Sequence, residues 1–105
     1  MKFKQVQKQG VAVTEAADHK SRTLRLQADV VIVGSGAGGA IAAYELAKGG
    51  KKVVVLEKGP YAPSSTFNEK LGDSLTRLYE GKGSQANSSG DFQVSQGSCV
   101  GGSTV

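Results

Sequence analysis

"DVVIVGSGAGGAIAAYELAKGGKKVVVLEKG", residues 29–59, holds two β-branched runs separated by a glycine cluster and an Ala-rich stretch. Asp29-Val-Val-Ile-Val33 is apolar without alternation, the pattern of a strand covered on both faces, as in a parallel sheet. Gly34-Ser-Gly-Ala-Gly-Gly39 breaks it. Ala40 to Lys48 is rich in helix formers, sets Ala43, Leu46 and Ala47 on one face, and meets a stop at Gly49-Gly50. Lys52-Val-Val-Val-Leu56 repeats the buried-strand pattern and runs straight into Glu57. Strand, glycine turn, helix and strand in this order predict a βαβ unit.

Gly34-x-Gly36-x-x-Gly39 has the spacing of a dinucleotide fingerprint, and each glycine has a mechanical reason. Gly34 permits the tight turn off the strand. Gly36 removes the side chain where backbone must approach a pyrophosphate. Gly39 lets helix and strand pack closely. The N–H groups at the helix start and the positive end of its dipole then face phosphate oxygens. Glu57 stands 23 residues after Gly34, where a carboxylate can accept both hydroxyl hydrogens of an adenosine ribose and repel a 2′-phosphate. NAD and FAD share these groups, so the βαβ unit leaves the choice between them open. A nucleotide-binding module without redox chemistry has the same signature.

Outward from this unit the signals weaken. Val11–Val13 alternates briefly, and alternation improves from Thr23 through Leu24 and Leu26. Beyond Gly59-Pro60, Thr66-Phe-Asn-Glu69 has the spacing of a capping box. Leu71, Leu75 and Leu78 recur at helical spacing, so a short amphipathic helix ending near Glu80 is expected despite Gly72. Residues 81–91, GKGSQANSSGD, read as loop, and Phe92 to Ser95 as a short strand leading into the glycines of 97–102.

The 105 residues amount to one domain at most, and the net charge of +4 is local. Residues 1–28 carry six Lys/Arg against two Asp/Glu, and the rest seven of each. Those basic residues are scattered without interleaved aromatics, which argues against nucleic-acid binding. There is no signal-peptide core and no transmembrane segment, which takes roughly 20 apolar residues. A single cysteine excludes an internal disulfide framework and fits a reducing, cytoplasmic setting. Cys99 reads as loop packing, His19 as a surface residue, and Tyr44, Tyr61 and Tyr79 as packing residues. No metal-ligating or catalytic set is expected.

Gly101-Gly102-Ser103-Thr104 has β-branched Val100 and Val105 beside it, unlike a flexible linker, and fits a tight loop that presents N–H groups and hydroxyls to a ligand. Taken with residues 29–59, "LYEG" at 78–81 and "QGSCVGGSTV" at 96–105, it makes the chain resemble the N-terminal FAD-binding portion of the glucose–methanol–choline oxidoreductases, over roughly residues 28–105. The wording is most similar to the long-chain alcohol oxidase and bacterial alcohol dehydrogenase branch.

The resemblance implies an α/β fold: a Rossmann-like FAD/NAD(P)-binding domain with a parallel sheet, incomplete in this chain. It implies an N-terminal extension over 1–27 and the first part of the FAD-binding domain over 28–105, with the substrate domain absent. Its cofactor is FAD and its substrate, in the whole protein, an alcohol that gives a hydride to flavin. The ADP half of FAD would fall on Gly34, Gly36, Gly39 and Glu57, with Ser35, Ala37, Gly38 and Lys58 in the same two stretches. The second motif would bring Gly101, Gly102, Ser103 and Thr104 to the pyrophosphate and flavin. Ser98 departs from the Arg, Lys, Asn or Cys common in the family, which removes any contact a longer side chain makes there. The family's alcohol chemistry uses a His paired with His or Asn near its C-terminus, and no such pair is present. An NAD-linked oxidoreductase sharing the βαβ start is the alternative.

Overall fold

Backbone glycines shape the first half of the molecule. A computed structural model of the chain describes residues 13–15 and 23–105; His19 and most of the short alternating stretch at 11–13 lie outside these. Strand β1 spans Val30–Val33, helix α1 Ala37–Lys48 and strand β2 Val53–Leu56. The strands pair in parallel, Val30 opposite Val53 through Val33 opposite Leu56. The pairing continues one residue further at each end: Asp29 N–H donates to the Lys52 carbonyl at 2.9 Å, and Gly34 N–H to the Leu56 carbonyl at 2.7 Å. The architecture is therefore α/β, a Rossmann-like βαβ unit, as expected.

The stop after α1 is a Schellman closure. Gly50 takes the left-handed conformation at φ +82°, Gly50 N–H donates to the Ala47 carbonyl, and Lys51 N–H donates to that of Leu46. At the other end α1 begins three residues before the expected Ala40, directly on the glycine turn, so Ala37, Gly38 and Gly39 form its first turn.

Four expectations need correction. The strands are not covered on both faces: Val33 is 84% exposed, and Val31 and Leu56 are exposed too, because among the described residues α1 alone packs on this two-stranded sheet. The capping box does not form. Pro63 starts a 3-10 turn at Ser64–Thr66, and the Thr66 hydroxyl donates back to the Pro63 carbonyl, so helix α2 begins later and spans Leu71–Leu78. Asn68 instead braces the turn ahead of the helix, accepting the Lys70 N–H at 3.0 Å and donating to Asp73 at 2.8 Å, while the N-cap position itself is Lys70 and carries no side-chain cap. Leu71 is 72% exposed, while Leu75 lies against Gly83. The segment 81–91 is not all loop, since β3 at Gln85–Ala86 pairs antiparallel with β4 at Gln93–Val94. Finally, Tyr44 is 63% exposed, with the Lys48 ammonium 5.7 Å from its ring centre, so it does not pack internally.

Candidate functional site

The turn after β1 is strained in the way that glycine accommodates: Gly34 adopts φ +90°. Gly39 faces back onto this turn. A Cβ there would collide with the Gly34 carbonyl oxygen and stand 3.1 Å from its carbon, so the glycine is what lets α1 sit against β1. Gly36 is different, for nothing among the described residues lies within 4 Å of where its Cβ would be. That open space adjoins the start of α1, where no side chain caps the helix and no acidic residue occupies the first turn. The positive end of the helix dipole is therefore uncompensated by any side chain among the described residues.

Glu57 closes the far end of the turn. Its Oε2 accepts the Ser35 N–H at 2.9 Å and the Ser35 hydroxyl at 2.7 Å, and its Oε1 accepts the Gly59 N–H at 2.8 Å. Three of the roughly four acceptor directions of a carboxylate are thus in use. The two ribose hydroxyls expected at this group would thus meet a carboxylate already engaged by the protein.

The Gly59 and Ser35 N–H groups hold the Glu57 carboxyl below its ordinary range. A carboxyl whose folded pKa is depressed contributes stability that is present above its unfolded value of 4.5 and lost as pH falls through the folded one. Thermal melts of the ligand-free intact protein should therefore lose more stability between about pH 5 and pH 3 than melts of Glu57→Gln. Parallel pH profiles would contradict this role.

The second glycine motif is carried to the first by backbone bonds. Ser98 N–H donates to the Leu78 carbonyl at 2.6 Å, Val100 N–H to that of Pro60 at 3.0 Å, and Glu80 N–H to that of Gln96 at 2.8 Å. Gly101 and Gly102 then turn with φ +96° and +63°, and Gly102–Thr104 form a 3-10 turn. The loop passes so close that a Cβ on Gly102 would lie 3.2 Å from Gly36 Cα. Both motifs line one cleft of about 490 Å³, walled by Gly34, Gly36 and Ala37 on one side and Gly102, Ser103 and Thr104 on another, with Glu57 and Lys58 between them.

Of the candidate residues, Gly39 serves the helix–strand contact and does not line the cleft, and neither do Ser35, Gly38 and Gly101. Lys58 lines it but pairs with Glu80 at 2.7 Å. Gln96, Gly97, Ser98 and Cys99 also line it, and sequence reading left them out as site residues. Their only signal was adjacency to the glycine run. Cys99 is 3% exposed, and burial, with the Glu57 charge adding to it, pushes its thiol up, away from the thiolate a nucleophile needs. Packing is its role.

Residues 29–68 match the family described as FAD binding domain. The chain is 46% identical over 88 residues to a long-chain-alcohol oxidase of Arabidopsis thaliana, covering 84% of this chain and 12% of that protein. A second Arabidopsis long-chain-alcohol oxidase is 41% identical over 91% of this chain and 12% of its own length. An uncharacterised GMC-type oxidoreductase of Sinorhizobium fredii is 39% identical over 77% of this chain and 16% of its own. The chain belongs to the glucose–methanol–choline oxidoreductase family. The family match covers the first glycine motif and Glu57, and with the relatives it resolves the choice left open by the βαβ unit in favour of FAD over NAD. The chain spans about an eighth of the length of the family's long-chain-alcohol oxidases that it matches. No solved structure shows significant similarity to it. No helix among the described residues is long and apolar enough to cross a membrane.

Proposed function

We propose that residues 28–105 are the FAD-binding part of an oxidoreductase that passes hydride from an alcohol to flavin. The observation that carries this reading is the meeting of two glycine motifs at one cleft, Gly36 against Gly102, with a hydrogen-bonded carboxylate at its end. In this reading the start of α1, at Ala37, faces the pyrophosphate across the open space at Gly36. Glu57 accepts a ribose hydroxyl, and Gly101 to Thr104 cover the pyrophosphate from the other side. Bound flavin supplies the two-electron chemistry; this chain's residues hold and orient it. The groups that act on the alcohol belong to other parts of the protein, and the names of the relatives nominate long-chain alcohols as substrates. A cytoplasmic setting, resting on the lone buried Cys99, completes the proposal.

The intact protein should purify yellow, release FAD on denaturation, and bleach anaerobically when long-chain primary alcohols are added. A colourless protein that binds NADH would favour the NAD-linked alternative. A flavoprotein that no alcohol reduces would remove the alcohol assignment.

A further inference from the structure

One side chain joins the two glycine motifs. The Ser35 hydroxyl donates to Glu57 Oε2 at 2.7 Å and accepts the Gly101 N–H at 2.9 Å. Among the described residues this is the sole hydrogen bond between residues 34–39 and 97–105; the loop's other outward bonds go to Leu78, Pro60 and Glu80. A hydroxyl that donates to a carboxylate while accepting from an amide is polarised in both bonds, and each strengthens the other. The recipient needs such an anchor, because Gly101 and Gly102 are consecutive glycines in left-handed conformations, with no side chain to hold them.

We propose that Ser35 is a positioning residue: its hydroxyl ties the Gly101–Gly102 loop to Glu57, so that the ribose carboxylate and the second glycine loop meet one FAD molecule in register. This rests on the FAD reading of the cleft, and it adds a coupling that neither motif implies by itself. Ligands at the two ends of the cleft are then not independent. Disturbing Glu57 loosens Gly101, and disturbing Ser35 leaves each motif folded but uncoupled.

The test is hydrogen exchange on the intact protein stripped of flavin, together with FAD titration of the same samples. Ser35→Ala should lower protection of the Gly101 amide about tenfold, the loss of one such bond, leave β1 and β2 as protected as before, and weaken FAD binding several-fold. Ser35→Thr keeps the hydroxyl at a residue whose φ is not positive, and should restore both. Glu57→Gln should lower Gly101 protection in the wild-type background and not in Ser35→Ala. Unchanged Gly101 protection in Ser35→Ala, loss spread through residues 30–56, no rescue by threonine, or a loosened loop with unaltered FAD affinity would each overturn the coupling. A wild-type protein that takes up no FAD would instead overturn the reading of the cleft, since the exchange experiment needs no flavin.

Discussion

Glu57→Ala is expected to weaken FAD binding by about ten- to a hundred-fold, the equivalent of about 1.5–3 kcal/mol for a lost charge-assisted hydrogen bond. The carboxylate lies at the end of β2 and already gathers Ser35 and Gly59 donors, so it is held in place before any ligand arrives. Alanine removes the acceptor for ribose and strands those donors, so a second contribution comes from the loosened turn. Glu57→Gln keeps the size and loses the charge, and should fall between wild type and alanine. Quenching of flavin fluorescence on titrating the stripped protein reads the dissociation constant, and melting of the same sample separates affinity from unfolding. An unaltered dissociation constant for Glu57→Ala would end the assignment of this residue to the cofactor.

Gly39→Ala and Gly36→Ala should fail in opposite ways, although the two residues sit one helical turn apart. At position 39 the added methyl meets the Gly34 carbonyl and the Ile32 side chain at 3.4 Å. Backbone cannot yield as a flexible side chain can, so α1 must lift from β1, at a cost of about 1–3 kcal/mol or more. The melting temperature should drop, and FAD binding with it. At position 36 the backbone is at φ −64°, which alanine adopts freely, and the methyl enters empty space. Stability should stay within about 0.5 kcal/mol, while FAD affinity falls at least about tenfold because the methyl stands where the pyrophosphate must come. A Gly36→Ala protein with wild-type affinity would place the pyrophosphate elsewhere. A Gly39→Ala protein with an unshifted melting temperature would mean that the helix is not clamped through this contact.

The misread segments share a cause. Thr66 and Glu69 have the right spacing for a cap, but Pro63 three residues earlier commits Thr66 to a 3-10 turn, and that competition does not show in the pair's spacing. Gln85-Ala86 has no strand propensity worth the name. It pairs with Gln93-Val94 because the turn between them is closed by Asn87, whose side-chain Oδ1 accepts the Phe92 N–H at 3.1 Å. The apolar β1 run was legible as strand, while its coverage was not, since coverage depends on what packs against it.

By itself, the sequence determined the local half of this protein. The parallel βαβ unit, the left-handed Gly34 and Gly50, the tight helix–strand contact at Gly39 and the acid after β2 all follow from residue type and spacing within about 30 positions, where glycine's missing Cβ and β-branched runs dictate the backbone. Tertiary structure alone decided that Gly101–Gly102 comes to rest on Gly36, that Ser35 links that loop to Glu57, and that Glu57 is already held by Ser35 and Gly59 donors. Those outcomes hang on single hydrogen bonds between residues as many as 66 positions apart, and no periodicity or motif spacing encodes which donor a folded loop will deliver to which acceptor.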